Sequence, residues 1–144
     1  MRAKTEKLIR DYYAAFNRGD MDTFVGLLAG TVAHDVNQGG RETGKAKFRR
    51  FMVRMNKNYR ERLTNIKIVA SADGKHAAAE FVVNGTYLAT DAGLPKAKGQ
   101  KYKLPGGAFF DVKRGKIARI TNYYNLQDWL KQRRSAFGPK AREF

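Results

Sequence analysis

His34 and Asp35 stand side by side in the stretch His34-Asp35-Val36-Asn37-Gln38, which runs through Gly39 and Gly40 into a basic segment that opens at Gly44-Lys45. An imidazole beside a carboxylate is the usual equipment for moving protons near neutral pH. Tyr12 adds a phenol, and Thr121-Asn122-Tyr123-Tyr124-Asn125 adds amides and phenols able to orient a substrate. General acid and base chemistry is the class these residues support. Other classes lack their parts. The only serines, Ser71 and Ser135, sit in no tight elbow, and no cysteine is present to act as nucleophile, disulfide or zinc ligand. His34 and His76, the two histidines, lie far apart in sequence, so neither a metal site nor a cofactor is expected. Gly39, Gly44 and Lys45 match the spacing of a phosphate-binding loop, but Ala46 replaces the Ser or Thr that would hold magnesium, and no parallel α/β pattern surrounds it.

These residues must be held by elements that the pattern of apolar positions outlines. Leu8, Ile9, Tyr12, Tyr13 and Phe16 share one helical stripe, and after the break at Gly19 and the cap at Asp20 a second stripe follows with Phe24, Leu27 and Leu28. A period-two stretch over 31–36 predicts a strand. From Gly44 a third helix carries Phe48, Phe51, Met52, Met55 and Tyr59 inward. The second half alternates: 65–71, 76–90, 100–112 and 117–126 are expected as four antiparallel strands in a meander, with turns at 72–75 and 113–116 and a Gly, Pro and Lys-rich loop from Asp91. Asn84-Gly85 is a strong hairpin signal, but a break there leaves two short strands, so one long bent strand is favoured. A last helix holds Leu126, Trp129, Leu130 and Arg133, and 137–144 is expected to be a loose tail. The 144 residues predict a single α+β domain in which N-terminal helices roof a curved antiparallel sheet and enclose a pocket.

Simpler roles compete for each candidate. Asp35 can cap its strand or pair with an arginine. Adjacent strand residues face opposite sides, so if Asp35 faces the pocket, His34 faces away unless a bulge turns it. Tyr12 sits on an apolar stripe where a tyrosine is commonly core. Asn37 and Gln38 line the pocket mouth or bond their own loop. Alternation from Ile120 sends Asn122 and Tyr124 to one face and Tyr123 and Asn125 to the other; an inward Ile120 favours Asn122 and Tyr124 as cavity residues.

Charge is the compositional outlier: 29 Lys and Arg against 13 Asp and Glu give +16. Such a surface attracts anionic partners such as nucleic acid without specificity. On the third helix Arg49, Arg50, Arg54 and Lys57 lie opposite the apolar stripe as a solvated, anion-binding face. Aromatics are not interleaved with these charges, as a dedicated single-strand site requires. An even basic coat over a separate core is also what deliberate supercharging of a surface produces. No apolar run is long enough for a membrane span and the N-terminus has no signal-peptide core, which predicts a cytoplasmic protein.

The run from Tyr12 through Asn17-Arg18-Gly19-Asp20, the apolar second helix, and Asp35 nine residues before Gly44 together resemble the N-terminal half of the ketosteroid isomerases, within the nuclear transport factor 2-like superfamily. The stretches 34–44, 85–112 and 121–129 are similar to the bacterial SnoaL-like proteins called ketosteroid isomerase-related. The resemblance implies a cone-shaped α+β fold over most of the chain. It implies Asp35 as the base that moves a proton alpha to a carbonyl, and Tyr12 as the phenol that hydrogen-bonds the resulting oxyanion. In the ketosteroid isomerases the aspartate base works with a tyrosine and a second, protonated aspartic acid held in an apolar site. Gly107 or Ala108 stands here where the second acid belongs. Polyketide cyclases of the superfamily place an acid-base aspartate where Asn125 stands; an amide there orients a substrate and takes no proton. The resulting expectation is a cofactor-free isomerase or lyase acting on a small apolar carbonyl compound. Asp35 and Tyr12 are its catalytic groups, and His34, Asn37, Asn122, Tyr124 and Asn125 contact substrate. The opposed expectation is a binding or assembly protein that works through its polycationic surface. In either case an apolar outer sheet face predicts a homodimer.

Overall fold

The computed structural model describes residues 1–36 and 39–135, with the side chains of 133–135 left aside. Asn37, Gln38, the Arg133 side chain and the tail expected at 137–144 lie outside the described residues. The element order is α1 (Arg2–Asn17), α2 (Met21–Gly26), β1 (Leu28–Asp35), β2 (Arg41–Thr43), α3 (Lys45–Asn58), β3 (Tyr59–Ala70), β4 (His76–Tyr87), β5 (Lys101–Lys113), β6 (Lys116–Tyr124) and α4 (Leu126–Ser135). Asp20 caps α2 through the Thr23 amide at 3.1 Å, as its position after Gly19 predicts.

All six strands form one sheet in the order β2-β1-β6-β5-β4-β3. The meander β3 to β6 is antiparallel throughout, but β1 joins it parallel to β6, so the sheet is mixed where an antiparallel one was expected. Connectivity permits the parallel join, since β1 and β6 are linked by a long crossover that carries β2, α3 and three strands of the meander. Irregular register between Thr64 and Lys67 and between Asp111 and Val112 bends the long strands, as bulges do. Helices α1 and α3 pack on the same face of the bent sheet, α1 against β3 and β4, α3 against β1 and β3. Ile9, Tyr12, Phe24, Val32, Phe48, Phe110 and Ile120 fill the space between the layers. A second cluster of Tyr59, Tyr87, Tyr102, Leu104 and Trp129 closes the other end, under α4. Among the described residues no helix is long and apolar enough to cross a membrane.

Three sequence expectations shift. Leu28 begins β1 and does not extend α2, because the helix stops at Gly26. Tyr59 opens β3, and that strand starts six residues earlier than its apolar alternation suggests. The short strand β2 replaces a loop and pairs antiparallel with β1, placing Glu42 opposite His34 and Arg41 opposite Asp35.

Asn84-Gly85 does not break the chain, and β4 runs through it as one long strand. The glycine serves a close approach. A Cβ at Gly85 would lie 2.1 Å from Cζ of Tyr102, a ring buried in the second cluster against Trp129 at 5.8 Å between centroids. Gly85→Ala is expected to lower stability by about 1–3 kcal/mol through overpacking, read as a lower urea midpoint. Tyr102→Ala in the same background should remove most of the added cost of the methyl group.

Candidate functional site

A cavity of about 170 Å³ lies between α1, α3 and the inner face of the sheet. Its wall is aromatic and aliphatic, with Tyr12, Tyr13, Phe24, Phe48, Phe51 and Phe81 prominent, and it carries a few polar groups from separate elements. His34 comes from β1, Glu61 from β3, Asn122 and Tyr124 from β6, and the two tyrosines from α1. A largely apolar hollow with sparse convergent polar groups is the usual form of a small-molecule site.

His34 is 3% exposed. Its ring sits 4.6 Å from Phe48 and 4.6 Å from Phe51, the second at an edge-to-face angle of 75°. Among the described residues Nδ1 has no hydrogen-bond partner, and the atom that approaches it is Glu42 Oε1 at 4.0 Å, itself buried and without a partner among them. Burial lowers the imidazole pKa below its ordinary value, with the negative charges of Glu42 and Asp35 opposing the shift. The ring is therefore neutral near neutral pH and available as a base.

Tyr13 is 4% exposed and its hydroxyl is buried without a partner among the described residues. An unsatisfied buried hydroxyl costs on the order of 1–3 kcal/mol. Tyr12 stacks on Phe24 at 4.3 Å and meets Tyr13 edge-on at 5.2 Å. Desolvation raises both phenol pKa values, so both remain protonated donors.

Asp35 occupies the opposite face. Its carboxylate takes two hydrogen bonds from Arg41, 2.6 Å from Nε and 3.1 Å from Nη2, and one from the Thr121 hydroxyl at 2.6 Å. Arg119 Nη1 stands 3.7 Å away, and its Nε donates to Asp111 at 2.9 Å, which also meets His76 Nδ1 at 2.9 Å. The hydrogen bonds from Arg41 and Thr121, with the charges of Arg41 and Arg119, hold the Asp35 carboxyl at about 2. A carboxylate so held is a poor proton acceptor. The expected orientation is thus reversed. Alternation along β1 is as anticipated, but it is His34 that faces the cavity and Asp35 that faces out, because Arg41 and Thr121 supply Asp35 with partners on the outer face.

Asn122 and Tyr124 line the cavity while the Tyr123 ring packs outside against Phe109 at 5.8 Å, as an inward Ile120 predicts. Asn125 does not join them. Its Oδ1 accepts from the Asp128 amide at 3.0 Å at the start of α4, so it serves as a helix cap, and its surface borders an outer hollow. Asn37 lies outside the described residues. Ala108 is 1% exposed in the core, and neither it nor Gly107 offers a carboxyl. Arg49, Arg50, Arg54 and Lys57 are exposed on α3, where Arg49 pairs with Asp22 at 3.0 Å and Arg54 lies over the Phe51 ring at 5.5 Å.

Sequence reasoning missed Glu61 and Glu42. Glu61 lines the cavity and accepts a hydrogen bond from the buried Tyr102 hydroxyl. The alternation Tyr59-x-Glu61-x-Leu63 would have shown a carboxylate sharing a face with two apolar residues, had β3 been started at Tyr59. Glu42 had no comparable signal, since β2 is only three residues long.

With this geometry in hand, comparison with known proteins is decisive for the family: the model of the SnoaL-like domain matches residues 9–120. The chain belongs to the SnoaL-like family. Its SnoaL-like fold is similar to a "putative polyketide cyclase" from Pseudomonas putida KT2440, at 58% identity and a TM-score of 0.88 over 89% of this chain and 96% of that one. A "putative polyketide cyclase" from Xanthomonas campestris pv. campestris matches at 55% identity and a TM-score of 0.90, over 92% and 98% of the two chains. A "putative ketosteroid isomerase" from Kribbella flavida DSM 17836 matches at 25% identity and a TM-score of 0.63, over 86% and 79%. No curated protein matches the chain.

The buried imidazole makes stability depend on pH with a defined sign. Because the folded pKa of His34 is lowered, the unfolded chain binds the proton more readily, and stability present above the ordinary value of 6.5 is lost as pH falls through it. The melting temperature is expected to drop between pH 7 and pH 5, and His34→Phe should flatten that slope. Asp35→Asn is expected to cost about 1–3 kcal/mol in charged hydrogen bonds, seen as a lower denaturation midpoint at pH 7.

Proposed function

We propose that this SnoaL-like protein is a cofactor-free isomerase or cyclase that moves a proton alpha to the carbonyl of a small apolar compound, with His34 as the general base. The observation that carries this reading is the pairing, in one aromatic cavity, of a neutral buried imidazole with a buried tyrosine hydroxyl that has no partner. Asp35, the base by resemblance, is replaced in that role because it faces away from the cavity in an ion network. The "putative polyketide cyclase" and "putative ketosteroid isomerase" relatives point to the same class of reaction.

In the proposed step the imidazole takes a proton from the carbon next to the carbonyl. The C–H electron pair moves into the new C–C double bond and the carbonyl pair moves onto oxygen. The Tyr13 hydroxyl, with Tyr12 beside it, donates to that oxygen, which gives a partner to a donor that has none among the described residues. The imidazolium then returns the proton to a different carbon of an unsaturated ketone, giving the shifted double bond and restoring neutral His34. Asn122 and Tyr124 orient the substrate. An apolar cavity of about 150 Å³ accommodates benzene, so the 170 Å³ here suits a one-ring substrate.

Conversion of cyclohex-3-enone to cyclohex-2-enone tests this directly. His34→Gln is expected to lower turnover about 100-fold or more, the usual contribution of a positioned base. Tyr13→Phe should lower it by a similar factor as a lost oxyanion donor, on the order of 100-fold. Asp35→Asn should retain the activity of whatever fraction remains folded. Equal turnover by wild type and His34→Gln would overturn the assignment.

Two associations accompany this reading. The exposed Val69, Phe109 and Tyr123 on the outer sheet face support a homodimer through that face. The exposed basic face of α3 supports nonspecific adhesion to polyanions, separable from the cavity chemistry. Charge reversal of Arg50, Arg54 and Lys57 to Glu should weaken retention on a polyanion column and flatten its salt dependence, while leaving ketone turnover unchanged.

A further inference from the structure

The structure assigns Glu42 as the positioning residue for His34: a carboxylate carried on β2 that holds the imidazole with its proton on Nδ1 and turns Nε2 toward the cavity. The inference rests on the proposed role of His34 as base. It is carried by four features of the geometry.

Strand register is the first. His34 and Glu42 are direct partners across the antiparallel β1–β2 pair, so their side chains leave the sheet on the same face. Two idle atoms are the second. His34 Nδ1 and Glu42 Oε1 are both buried, both lack a hydrogen-bond partner, and lie 4.0 Å apart. Two polar atoms sealed from water and facing one another are each unsatisfied until they meet, and a small rotation of either side chain closes the gap. Catalytic hydrogen bonds are commonly long in the free enzyme and shorten when substrate binds.

The third feature is confinement of the ring. Phe48 and Phe51 from α3 hold the imidazole on two sides, each 4.6 Å away. The ring cannot swing out to find another acceptor without leaving this clamp. The fourth is the scarcity of rivals. Among the described residues, the charged groups that act on the ring are Glu42 across the strand pair and Asp35 on its own strand. Asp35 faces the other side of the sheet and is occupied by Arg41 and Thr121. α3 presents phenylalanines to the ring, and β6 aligns Ile120 with it.

A neutral imidazole has one donor nitrogen and one acceptor nitrogen, and the partner of the first decides which nitrogen is left as base. With Nδ1–H directed at Glu42, Nε2 carries the lone pair on the cavity side. When the ring takes a proton from substrate, the Glu42 carboxylate stabilises the imidazolium that forms. Glu42 itself touches no substrate, with one oxygen buried and its side chain 44% exposed.

Imidazole nitrogen NMR on the full-length protein tests the arrangement without any substrate, and the chain has only two histidines to resolve, assigned by His76→Asn. The expected result is a neutral His34 with the proton on Nδ1, a shift toward the other tautomer in Glu42→Ala, and a lower His34 pKa in Glu42→Gln. In turnover of cyclohex-3-enone, Glu42→Gln should lower kcat with KM little changed and move the acid limb of the pH profile to lower pH. A proton on Nε2 in the wild type, or a His34 titration identical in wild type and Glu42→Gln, would overturn the inference. If the NMR results hold while no ketone is turned over by the wild type, the His34–Glu42 pair stands and the proposed reaction falls.

Discussion

The bidentate contact between Arg41 and Asp35 holds the outer face of β1, while Val32, fully buried two residues before His34, marks the inner one. Successive strand residues point to opposite sides, so anchoring Asp35 outward commits His34 inward. Thr121 and Arg119 on the neighbouring strand complete the anchor. A slip of one residue would exchange them, leaving the carboxylate among Phe48 and Phe51 and the imidazole among arginines. Burying an unpaired carboxylate in such surroundings costs several kcal/mol, far more than burying a neutral imidazole. The ion network outside and the base inside are thus two results of the same register.

Beyond that strand, the fold separates its charges from its chemistry. The basic residues of α3 are exposed on the side away from the cavity, while the same helix turns Phe48, Phe51 and Met52 inward. Exposed charges more than about 10 Å away are largely screened by salt, so the cavity chemistry depends on the few polar groups that line it.

Much of this architecture was legible in the sequence. The stripes of α1 and α3 and the alternation of the meander outlined the layers, and the placement of Asn122 and Tyr124 followed from Ile120 being core. The choice between His34 and Asp35 could have been read from the alternation Val32-x-His34-x-Val36, which places the imidazole on the apolar face, but the resemblance pointed to Asp35, and Arg41, which holds Asp35 outside, lies on a strand of three residues. Propensity has little grip on so short an element. Asn125 misled for a related reason: an amide at a strand end suits a substrate contact and a helix cap equally, and only the start of α4 at Leu126 decides for the cap. Gly85 is the clearest case of tertiary override, where a turn signal marks room for the Tyr102 ring.

The identity of the base also bears on what replaces the missing second acid. With Ala108 sealed in the core, a developing negative oxygen meets the phenols and amides of the cavity wall, of which the Tyr13 hydroxyl is buried and, among the described residues, has no partner. The desolvation of the Tyr13 hydroxyl is a cost already met in folding. A hydrogen bond formed from it to an oxyanion therefore adds stabilisation without a further loss of solvation, which is the condition under which a preorganised donor favours the transition state. A neutral imidazole and a neutral phenol begin the step as two uncharged groups, and charge separation between them appears only as the proton moves. Glu42 then stands beside the ring, part in water and part buried, close enough to steady the imidazolium that forms.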